Sequence, residues 1–309
     1  MDVLVTGGAG FIGSHLVDRL LADGHAVRVL DDLSAGRREN VAGEAVLSVG
    51  SVADAGAVAD VIDGVEVVFH LAALGAVPRS VADPLSTDRV NTHGTLTVLT
   101  AARDAGTRRV VFSSSSSVYG GATTIPTPET VPTRPRSPYG VSKLAGEWYC
   151  RVFADLFPLE TVALRFFNVF GPRQRPDSTY AAVIPLFTAA LLAGERPTVF
   201  GDGLQSRDFT YVSDVVAAVV AAANAPARVS GEVFNIAPGT QHTLVDLLAA
   251  IGRASGVEPE PVFVEARAGD IHQSCADAGK AMAALDWKPQ VSFESGIASY
   301  IEWLREGAG

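Results

Sequence analysis

The segment TGGAGFIG, residues 6–13, places four glycines where an apolar run meets an amphipathic stretch. The run that leads into it, DVLVT (2–6), has the composition of a buried strand, and a helical pattern begins at Phe11. Gly7, Gly10 and Gly13 follow the spacing G-x-x-G-x-x-G, which lets a backbone turn tightly and approach a pyrophosphate at a helix N-terminus. The segment therefore predicts a strand, a glycine-rich turn and a helix that together bind a dinucleotide.

Short apolar runs alternate with helical patterns through the first half of the chain. The runs are typical of buried parallel strands and cover 2–6, 26–30, 44–49, 65–70, 109–114 and 160–166. The helical patterns lie near 11–23, 54–62, 86–105 and 139–156. This alternation predicts an α/β fold of the Rossmann type, a doubly wound parallel sheet with helices on both faces.

The second half predicts a smaller mixed α/β lobe over the carboxyl edge of the sheet. Helical patterns near 180–193, 213–224, 243–255 and 293–305 alternate there with strand candidates at 198–200, 232–236 and 261–265. We expect EVFNI (232–236) to return to the main sheet. The predicted division is a dinucleotide-binding domain, 1–168 plus about 208–238, and a substrate-binding lobe, 169–207 plus 239–309. The irregular segments 121–138 and 171–179 are expected to form part of the site.

The composition of the chain is that of a soluble globular protein of 309 residues, with 48% hydrophobic and 19% charged residues. Its net charge of −10 argues against binding nucleic acid or an acidic membrane, since phosphate backbones attract clustered Lys and Arg. Cys150 and Cys275 are too few for a disulfide framework, which suits a reducing cytoplasm. A strand pattern beginning at residue 2 predicts no leader peptide, and the apolar runs are too short to predict a membrane span.

An acidic pair follows the second predicted strand. Asp31 lies 18 residues after Gly13, where its carboxylate can bind the hydroxyls of an adenosine ribose. Asp31 and Asp32 together would repel a 2′-phosphate, so the sequence favours NAD over NADP.

Tyr139 and Lys143 lie four residues apart in SPYGVSKLAGE (137–147) and predict a proton-transferring pair. A tyrosine has an ordinary pKa of about 10, which must fall by about three units for the phenol to act as a base near pH 7. Lys143 is one helical turn away on the same face, where its ammonium group is expected to favour the phenolate. The serine run 113–117 at the end of a predicted strand offers a hydroxyl to share the substrate proton. These features point to hydride chemistry on a hydroxyl group.

The chain resembles the extended short-chain dehydrogenase/reductases, and among them the UDP-hexose 4-epimerases. The resemblance covers nearly all 309 residues and is carried by TGGAGFIG (6–13), DDLSAG (31–36), HLAA (70–73), NTHGT (91–95), SSSSSVYG (113–120), YGVSK (139–143), LRFFNVFGPRQ (164–174), GDGLQSRDFTYVSDVV (201–216) and ARAGDI (266–271). In this family the catalytic serine lies four residues before the Tyr-Gly of S-x-x-V-Y-G, which is Ser115 here.

The resemblance implies a mechanism and a cofactor. Tyr139 would remove the proton of the sugar 4-hydroxyl while the C4 hydride moves to a tightly bound NAD, and the hydride would return to the other face of the 4-keto sugar. The catalytic set is Ser115, Tyr139 and Lys143. The implied NAD contacts are Gly7, Gly10, Phe11, Ile12, Gly13, Asp31, Asp32, Ser34, Gly36, Ser51, Val52, Leu71, Ala72, Ala73, Asn91, Ser113, Tyr139 and Lys143. Relatives often carry an Asp in place of Ser51, so the adenine contact is expected to be looser here.

The resemblance also assigns residues to a UDP-sugar substrate. Arg207 and Arg267 match positions that hold the diphosphate, and a planar guanidinium group suits phosphate oxygens. The full implied set is Arg79, Ser115, Ser116, Ser117, Tyr139, Asn168, Ala182, Val183, Thr198, Phe200, Arg207, Arg267, Asp270 and Ser274. Related enzymes fill the position of Ser274 with a tyrosine or with a small residue, and a small residue resembles the branch that admits an N-acetyl group at C2. The predicted substrates are therefore UDP-GlcNAc and UDP-GalNAc, with UDP-Glc and UDP-Gal as an additional pair.

Other reactions stay open at this point. Arg79 could serve a C6 carboxylate, which keeps UDP-glucuronate 4-epimerisation as an alternative. Dehydrating relatives place Asp-Glu where this chain has Ser116-Ser117, so a dehydratase is disfavoured, as is a plain ketone reductase. A non-catalytic NAD-sensing protein is a remote alternative, since such proteins typically lose the Tyr or the Lys. No metal is expected, because the histidines lack a ligand arrangement. By resemblance we also expect a homodimer joined through helices 86–105 and 139–156.

Overall fold

The computed structural model of the protein describes residues 1–174, 182–266 and 271–307. In chain order its strands are β1 Asp2–Thr6, β2 Ala26–Asp31, β3 Val46–Val49, β4 Val67–His70, β5 Arg109–Ser115, β6 Glu160–Phe166, β7 Val169–Phe170, β8 Thr198–Phe200, β9 Ser206–Arg207, β10 Thr210–Tyr211, β11 Glu232–Ile236, β12 His242–Thr243 and β13 Val262–Val264. Its α-helices are α1 Phe11–Ala22, α2 Ala55–Ile62, α3 Val77–Ala82, α4 Pro84–Thr87, α5 Gly94–Asp104, α6 Pro138–Leu156, α7 Val183–Leu192, α8 Val212–Asn224, α9 Leu244–Ser255, α10 Gly279–Leu285 and α11 Phe293–Glu306.

Seven strands form one parallel sheet in the order β11-β6-β5-β4-β1-β2-β3. The predicted Rossmann-type α/β fold is confirmed, and β11, which contains EVFNI, pairs with β6 as expected. The chain runs outward from β1 through β2 to β3, then returns to β4 and continues through β5 to β6 in the other direction. The carboxyl ends of β1 and β4 therefore meet where the winding reverses, and ligands of such sheets bind in the crevice at this point.

Alternate side chains of the strands supply two separate cores. Val3 and Val5 of β1 pack with Leu16 of α1 and Val219 of α8 on one face of the sheet. Leu4 points to the opposite face, where α2, α5 and α6 contribute Val58, Val98, Leu99 and Cys150. The period of two that places Leu4 opposite Val3 and Val5 follows from strand geometry, so both faces of the sheet must be covered by helices.

The smaller lobe has a core of its own between α7, α9 and α11. Its largest buried side chains include Phe170, Phe187, Leu247, Ile251 and Tyr300. Short two-stranded sheets border this core: β8 pairs with β13, β9 with β12, and β7 with β10. The division into a cofactor domain and a substrate lobe remains a prediction.

The helix predicted over 86–105 is divided into three parts. It begins as α4, widens into a π-helix over Asp88–His93 and continues as α5. Two helices, α3 and α10, and the two-residue strands β7, β9, β10 and β12 had no signal in the sequence. These elements are too short for apolar periodicity to develop, and long-range pairing fixes them instead.

No helix within 1–174, 182–266 and 271–307 is long and apolar enough to cross a bilayer. Within the same ranges, His, Cys, Asp and Glu side chains do not gather in a group of three that would hold a metal ion.

Candidate active site

A cavity of about 610 Å³ opens at the carboxyl edge of the sheet, where the winding reverses. The glycine turn, the ends of β2 and β5 and the first turn of α6 all contribute to its wall. Of the sequence-predicted set, the residues that line it are Gly7, Gly10, Phe11, Ile12, Gly13, Asp31, Asp32, Ser34, Gly36, Val52, Leu71, Ala72, Ala73, Arg79, Ser113, Ser115, Ser116, Tyr139, Lys143, Asn168 and Ala182. Elements far apart in the chain thus bring most of the predicted cofactor set to one place.

The glycine turn brings β1 and α1 close enough to exclude side chains. Gly7 has a φ of +73°, and a Cβ there would lie 2.7 Å from the amide nitrogen of Ala72. Gly10 is the N-cap of α1 and has no side chain to bond the first amide groups of the helix. The first amide groups of α1 therefore have no side-chain partner, and helix N-termini of this kind attract anions. The absence of Cβ atoms leaves room for a pyrophosphate to approach them.

Asp31 ends β2 at the wall of the cavity, and its carboxylate is oriented by two backbone amides. Oδ2 accepts from Ala9 at 2.9 Å and Oδ1 accepts from Leu33 at 2.8 Å. Burial raises the pKa of Asp31, while these two hydrogen bonds oppose the shift. Asp32 follows it and accepts from the hydroxyl of Ser34. Two adjacent carboxylates at this wall suit ribose hydroxyls and disfavour a 2′-phosphate.

A buried histidine supports the loop after β4. His70 lies between the hydroxyls of Thr6 and Thr95, at 2.7 Å from Nδ1 and 3.0 Å from Nε2. Thr95 donates its own proton to the carbonyl of Asn91, so its oxygen must accept from Nε2–H of His70. Nδ1 is then an acceptor for Thr6, whose oxygen in turn accepts from the amide of Ala72. The imidazole is therefore neutral, and burial lowers its pKa to about 3.

The proposed catalytic side chains meet at the end of β5. The hydroxyls of Ser115 and Tyr139 lie close enough to interact. Lys143, only 3% exposed, donates from Nζ to the carbonyl oxygen of Ser113 at 2.8 Å. Its Nζ also lies 5.9 Å from the centre of the Tyr139 ring. The predicted grouping of Ser115, Tyr139 and Lys143 is present in the structure, and their catalytic roles are a proposal.

Local signals in the sequence explain where α6 begins. Ser137 caps the helix by accepting from the amide of Gly140 at 3.1 Å, and Pro138 occupies the first turn. Gly140 and Gly146 allow the helix to lie close against β5, since a Cβ at either position would overlap Ser117 or the ring of Phe112. This close packing brings Tyr139 and Lys143 to the serine end of the strand.

The expected lowering of the pKa of Tyr139 is not seen. Burial raises the pKa of the phenol, and the hydrogen bond from Ser115 opposes this only in part. Burial also lowers the pKa of Lys143 to about 7, because a desolvated ammonium group loses its proton readily. Desolvation is thus the largest influence on the pKa of both groups.

A second cavity of about 350 Å³ adjoins the first. The two share the lining residues Asn168, Val169, Gln174 and Ala182, and the second extends into the smaller lobe. Of the sequence-predicted substrate residues, those that line it are Asn168, Ala182, Val183, Thr198, Phe200 and Arg207. A long ligand with one end at Tyr139 would thus reach a cation and an aromatic ring at the other end.

Some predicted residues are held away from the two cavity walls. Asn91 is buried behind the loop after β4, where its side chain bonds both backbone groups of Leu74 and the hydroxyl of Ser142. These bonds give Asn91 a supporting role for that loop, and its contact with the cofactor remains a prediction. Ser51 accepts from the amide of Ala53, Ser117 donates to the oxygen of Ser115, and Ser274 bonds Ser206 through its backbone. Arg267 and Asp270 lie outside the described residues.

The lining residues that the sequence did not predict include Arg173 and Gln174. Arg173 lies at the wall of the larger cavity and pairs with Asp18 of α1 at 2.7 Å. Gln174 lines both cavities and donates to the carbonyl of Val169. Their position within GPRQ (171–174) gave the only available signal, since the sequence predicts that loop to be part of the site.

Comparisons with known proteins agree with this geometry. Residues 3–237 match the model of the NAD dependent epimerase/dehydratase family. A UDP-glucose 4-epimerase of Mycolicibacterium smegmatis is 44% identical over 312 residues, covering 99% of each chain. The structure of a UDP-glucose 4-epimerase from Thermotoga maritima, solved with UDP-glucose, has a TM-score of 0.96, 39% identity and coverage of 100% of each chain. That of a UDP-N-acetylglucosamine 4-epimerase from Methanobrevibacter ruminantium, in complex with UDP-N-acetylmuramic acid, has a TM-score of 0.94, 38% identity and coverage of 99% of this chain and 98% of the other.

Proposed function

Because the chain belongs to the NAD dependent epimerase/dehydratase family, we propose that it is an isomerase, a UDP-sugar 4-epimerase. One observation carries the proposal: Ser115, Tyr139 and Lys143 line the cavity of the glycine turn, and that cavity continues into one lined by Arg207 and Phe200. A UDP-sugar has a reactive ring at one end and an anionic, aromatic nucleotide at the other, which matches this order of side chains.

The residues of the larger cavity fit NAD as the cofactor. The glycine turn leaves room for the pyrophosphate, and Asp31 is oriented for the adenosine ribose. When bound, NAD supplies a hydride acceptor for C4 of the sugar and a positive charge beside the catalytic side chains.

The side chains of this protein move the proton. Tyr139 takes the proton of the 4-hydroxyl, and the hydroxyl of Ser115 shares that hydrogen bond. Lys143 stabilises the phenolate form in which Tyr139 accepts that proton, and the carbonyl of Ser113 holds its ammonium group in place. Tyr139 would return its proton to O4 as C4 regains the hydride, so the sugar ends at its original oxidation level.

For the sugar, we propose that UDP-GlcNAc and UDP-GalNAc are interconverted and that UDP-Glc and UDP-Gal are a further pair. The small side chain of Ser274, in a segment that pairs with Ser206 next to Arg207, supports tolerance of a bulky C2 group. Both solved relatives described above are named as 4-epimerases, one of UDP-glucose and one of UDP-N-acetylglucosamine.

The test is proton NMR of the anomeric region after the purified protein is incubated separately with UDP-GlcNAc, UDP-Glc and UDP-GlcA. We expect UDP-GalNAc to appear and to reach a constant ratio without added cofactor. Absence of a 4-epimer from all three, even with NAD supplied, would contradict the epimerase proposal.

UDP-glucuronate 4-epimerase is a second candidate, because Arg79 lines the same cavity as Ser115 and Tyr139. A guanidinium group there suits a C6 carboxylate. In the same NMR assay, conversion of UDP-GlcA alone would favour this candidate and would overturn the choice of N-acetylated sugars.

Other activities have less support. Elimination at C6 needs an acid and a base beside the Val-Tyr-Gly, and Ser116 and Ser117 provide hydroxyls there. A non-catalytic NAD sensor would have no use for the proton-transferring pair Tyr139 and Lys143. We also propose that the protein acts in the cytoplasm, since its two cysteines are free thiols in the structure.

A further inference from the structure

A buried ion pair lies directly behind the catalytic side chains. Glu147 of α6 and Arg165 of β6 are 4% and 5% exposed. Arg165 donates from Nε and Nη2 to the two carboxylate oxygens at 2.8 and 2.7 Å. A bidentate pair of this kind fixes both side chains more tightly than a single hydrogen bond would.

Glu147 also holds the serine end of β5. The hydroxyl of Ser114 donates to its carboxylate, while the carbonyl of the preceding Ser113 accepts from Lys143. Lys143 and Glu147 are one helical turn apart on one face of α6. Ser113 is therefore bonded to Lys143 and Ser114 to Glu147, on consecutive turns of α6. These two residues of β5 immediately precede Ser115.

Arg165 extends the network away from the cavity. Its Nη1 donates to the hydroxyl of Tyr119 at 2.7 Å, and that hydroxyl donates to Asn235 of β11 at 2.8 Å. Although burial lowers the pKa of Arg165, its bonds with Glu147 and Tyr119 raise it above the ordinary value. Arg165 thus stays charged and is the counter-ion of the Glu147 carboxylate in the protein interior.

The charged and titratable groups around Lys143 come from α6 and from the end of β4. Burial lowers the pKa of Lys143 to about 7, whereas Cys150 and Glu147 oppose the shift. Burial also raises the pKa of the Cys150 thiol well above its ordinary value, so that thiol is neutral near pH 7. Tyr139 is a neutral phenol at that pH, and His70 is a neutral imidazole. Among these groups, Glu147 is the one carboxylic acid, and it pairs with Arg165.

We propose that Glu147 is a positioning residue of the active site, which ties the serine end of β5 to α6 and keeps Lys143 charged despite its burial. Arg165 is its counter-ion, and Ser114 transmits its position to the neighbouring Ser113 and Ser115. Glu147 touches neither of the two cavities, so it acts through Lys143.

The test is a direct titration of Lys143 by NMR. The sequence contains three lysines, Lys143, Lys280 and Lys288, so protein labelled with [ε-¹³C]lysine gives three side-chain signals. Lys143→Met assigns the relevant one. Wild-type protein and Glu147→Gln are titrated as purified, with equal cofactor content, and circular dichroism monitors folding.

We expect Glu147→Gln to lower the pKa of Lys143 by about one unit, since it removes the nearby anion. Glu129→Gln is the matched control. Glu129 belongs to the same network, where it accepts from the amide of Asn235, and it does not act on Lys143. If Glu147→Gln fails to fold, Glu147→Met/Arg165→Met removes both charges and should shift Lys143 in the same direction. Titration of Lys143 at its wild-type position in a folded Glu147 variant would overturn the proposal.

A kinetic test of the role of Glu147 rests on the proposed function, because it needs epimerase activity. The alkaline limb of the pH profile of kcat should move to lower pH in Glu147→Gln by the amount that Lys143 shifts, and it should stay in place in Glu129→Gln. An inactive wild-type protein would refute the epimerase proposal alone, because the NMR titration needs no substrate.

Discussion

Gly13 lies in the first turn of α1, where a Cβ atom would overlap the carbonyl oxygen of Gly7. We expect Gly13→Ala to displace the glycine turn at a cost of about 1–3 kcal/mol, which is about 5- to 150-fold in cofactor affinity. The measurement is the NAD content of the purified variant, followed by titration with NAD. Gly43→Ala is the control, because Gly43 has no neighbouring atom within 4 Å of an added Cβ. Equal cofactor content in wild type and Gly13→Ala would contradict the predicted site.

Tyr139 provides the hydroxyl that we propose as the base. Tyr139→Phe removes that oxygen and leaves the ring, so kcat should fall by about 10²- to 10⁴-fold while NAD remains bound. The NMR assay of epimerisation measures the first quantity, and absorbance of released cofactor measures the second. Tyr149→Phe changes a tyrosine on the same helix that packs against the core, and it should keep its activity. A Tyr139→Phe variant within a few-fold of wild type would exclude Tyr139 as the base.

His70 links the stability of the fold to pH. The unfolded imidazole takes up a proton near pH 6.5, whereas the buried one resists protonation until about pH 3. The unfolded state therefore binds more protons below pH 6.5, and the free energy of unfolding should fall on acidification by up to about 1.4 kcal/mol per pH unit.

Asp208 contributes to the free energy of unfolding with the opposite dependence on pH. Burial raises the pKa of Asp208 to about 6, so its contribution is present at low pH and is lost as the pH rises through that value. The effect of His70 is therefore measured as the difference between urea denaturation of wild type and of His70→Gln at several pH values. His93→Gln, which changes an exposed histidine, is the control variant. Identical slopes for wild type and His70→Gln would show that His70 is not the linked group.

At the level of single elements, α8 depends on a side chain from the sheet. Arg109 of β5 is 1% exposed and donates to the carbonyls of Ala222, Ala223 and Ala225 at the end of this helix. Those carbonyls have no partner within the helix, so a buried guanidinium group takes the place of a C-cap. Glu160 completes the arrangement by accepting from Arg109 Nε at 2.8 Å.

Arg109→Met should lower the free energy of unfolding by about 3–5 kcal/mol, because it leaves the carbonyls of Ala222 and Ala225 without their donor and Glu160 with only the more distant Arg108. Urea denaturation provides the measurement. Arg19→Ala, which breaks an exposed pair with Asp23 on α1, should cost well under 1 kcal/mol. Comparable losses in the two variants would mean that the end of α8 is not stabilised by Arg109.

For the whole molecule, one exposed apolar face supports the predicted homodimer. On α6, Trp148 is 63% exposed and Leu156 is 69% exposed, and Val141 and Val152 of the same helix are exposed as well. The neighbouring α3 and α4 expose Val81 and Leu85. Apolar patches of this kind on helices of a stable protein mark association surfaces.

We expect Trp148→Glu to convert the dimer to a monomer, because a carboxylate would be buried without a partner in the interface. Light scattering coupled to size-exclusion chromatography measures the mass. Leu204→Glu places the same charge at an exposed apolar position, 56% accessible, on the smaller lobe and should leave the dimer intact. A wild-type protein that elutes as a monomer would refute the prediction directly.

Much of the architecture was predictable because its signals are local. The strands β1, β2, β5 and β6 and the helices α1 and α6 follow from apolar periodicity and from Gly10 or Ser137 at their starts. The glycine turn was equally predictable, since a backbone that excludes Cβ atoms requires glycine at fixed positions. The placement of Tyr139 and Lys143 on one face was predictable because a helix has 3.6 residues per turn.

Contacts between distant segments were decided by the tertiary structure. In the folded chain Asn91 lies behind the cavity wall and Arg173 lies in that wall. Glu147 and Arg165 form a buried pair next to Ser114. The tertiary structure also reversed the expected effect on Tyr139, because desolvation depends on everything packed around a group, whereas the spacing of Tyr139 and Lys143 gives only their separation. The sequence by itself thus determined the glycine turn, the face of α6 that carries Tyr139 and Lys143, and the chemical groups of the site. The tertiary structure determined how deeply those groups are buried, and burial shifts their pKa values because it depends on atoms from the whole chain.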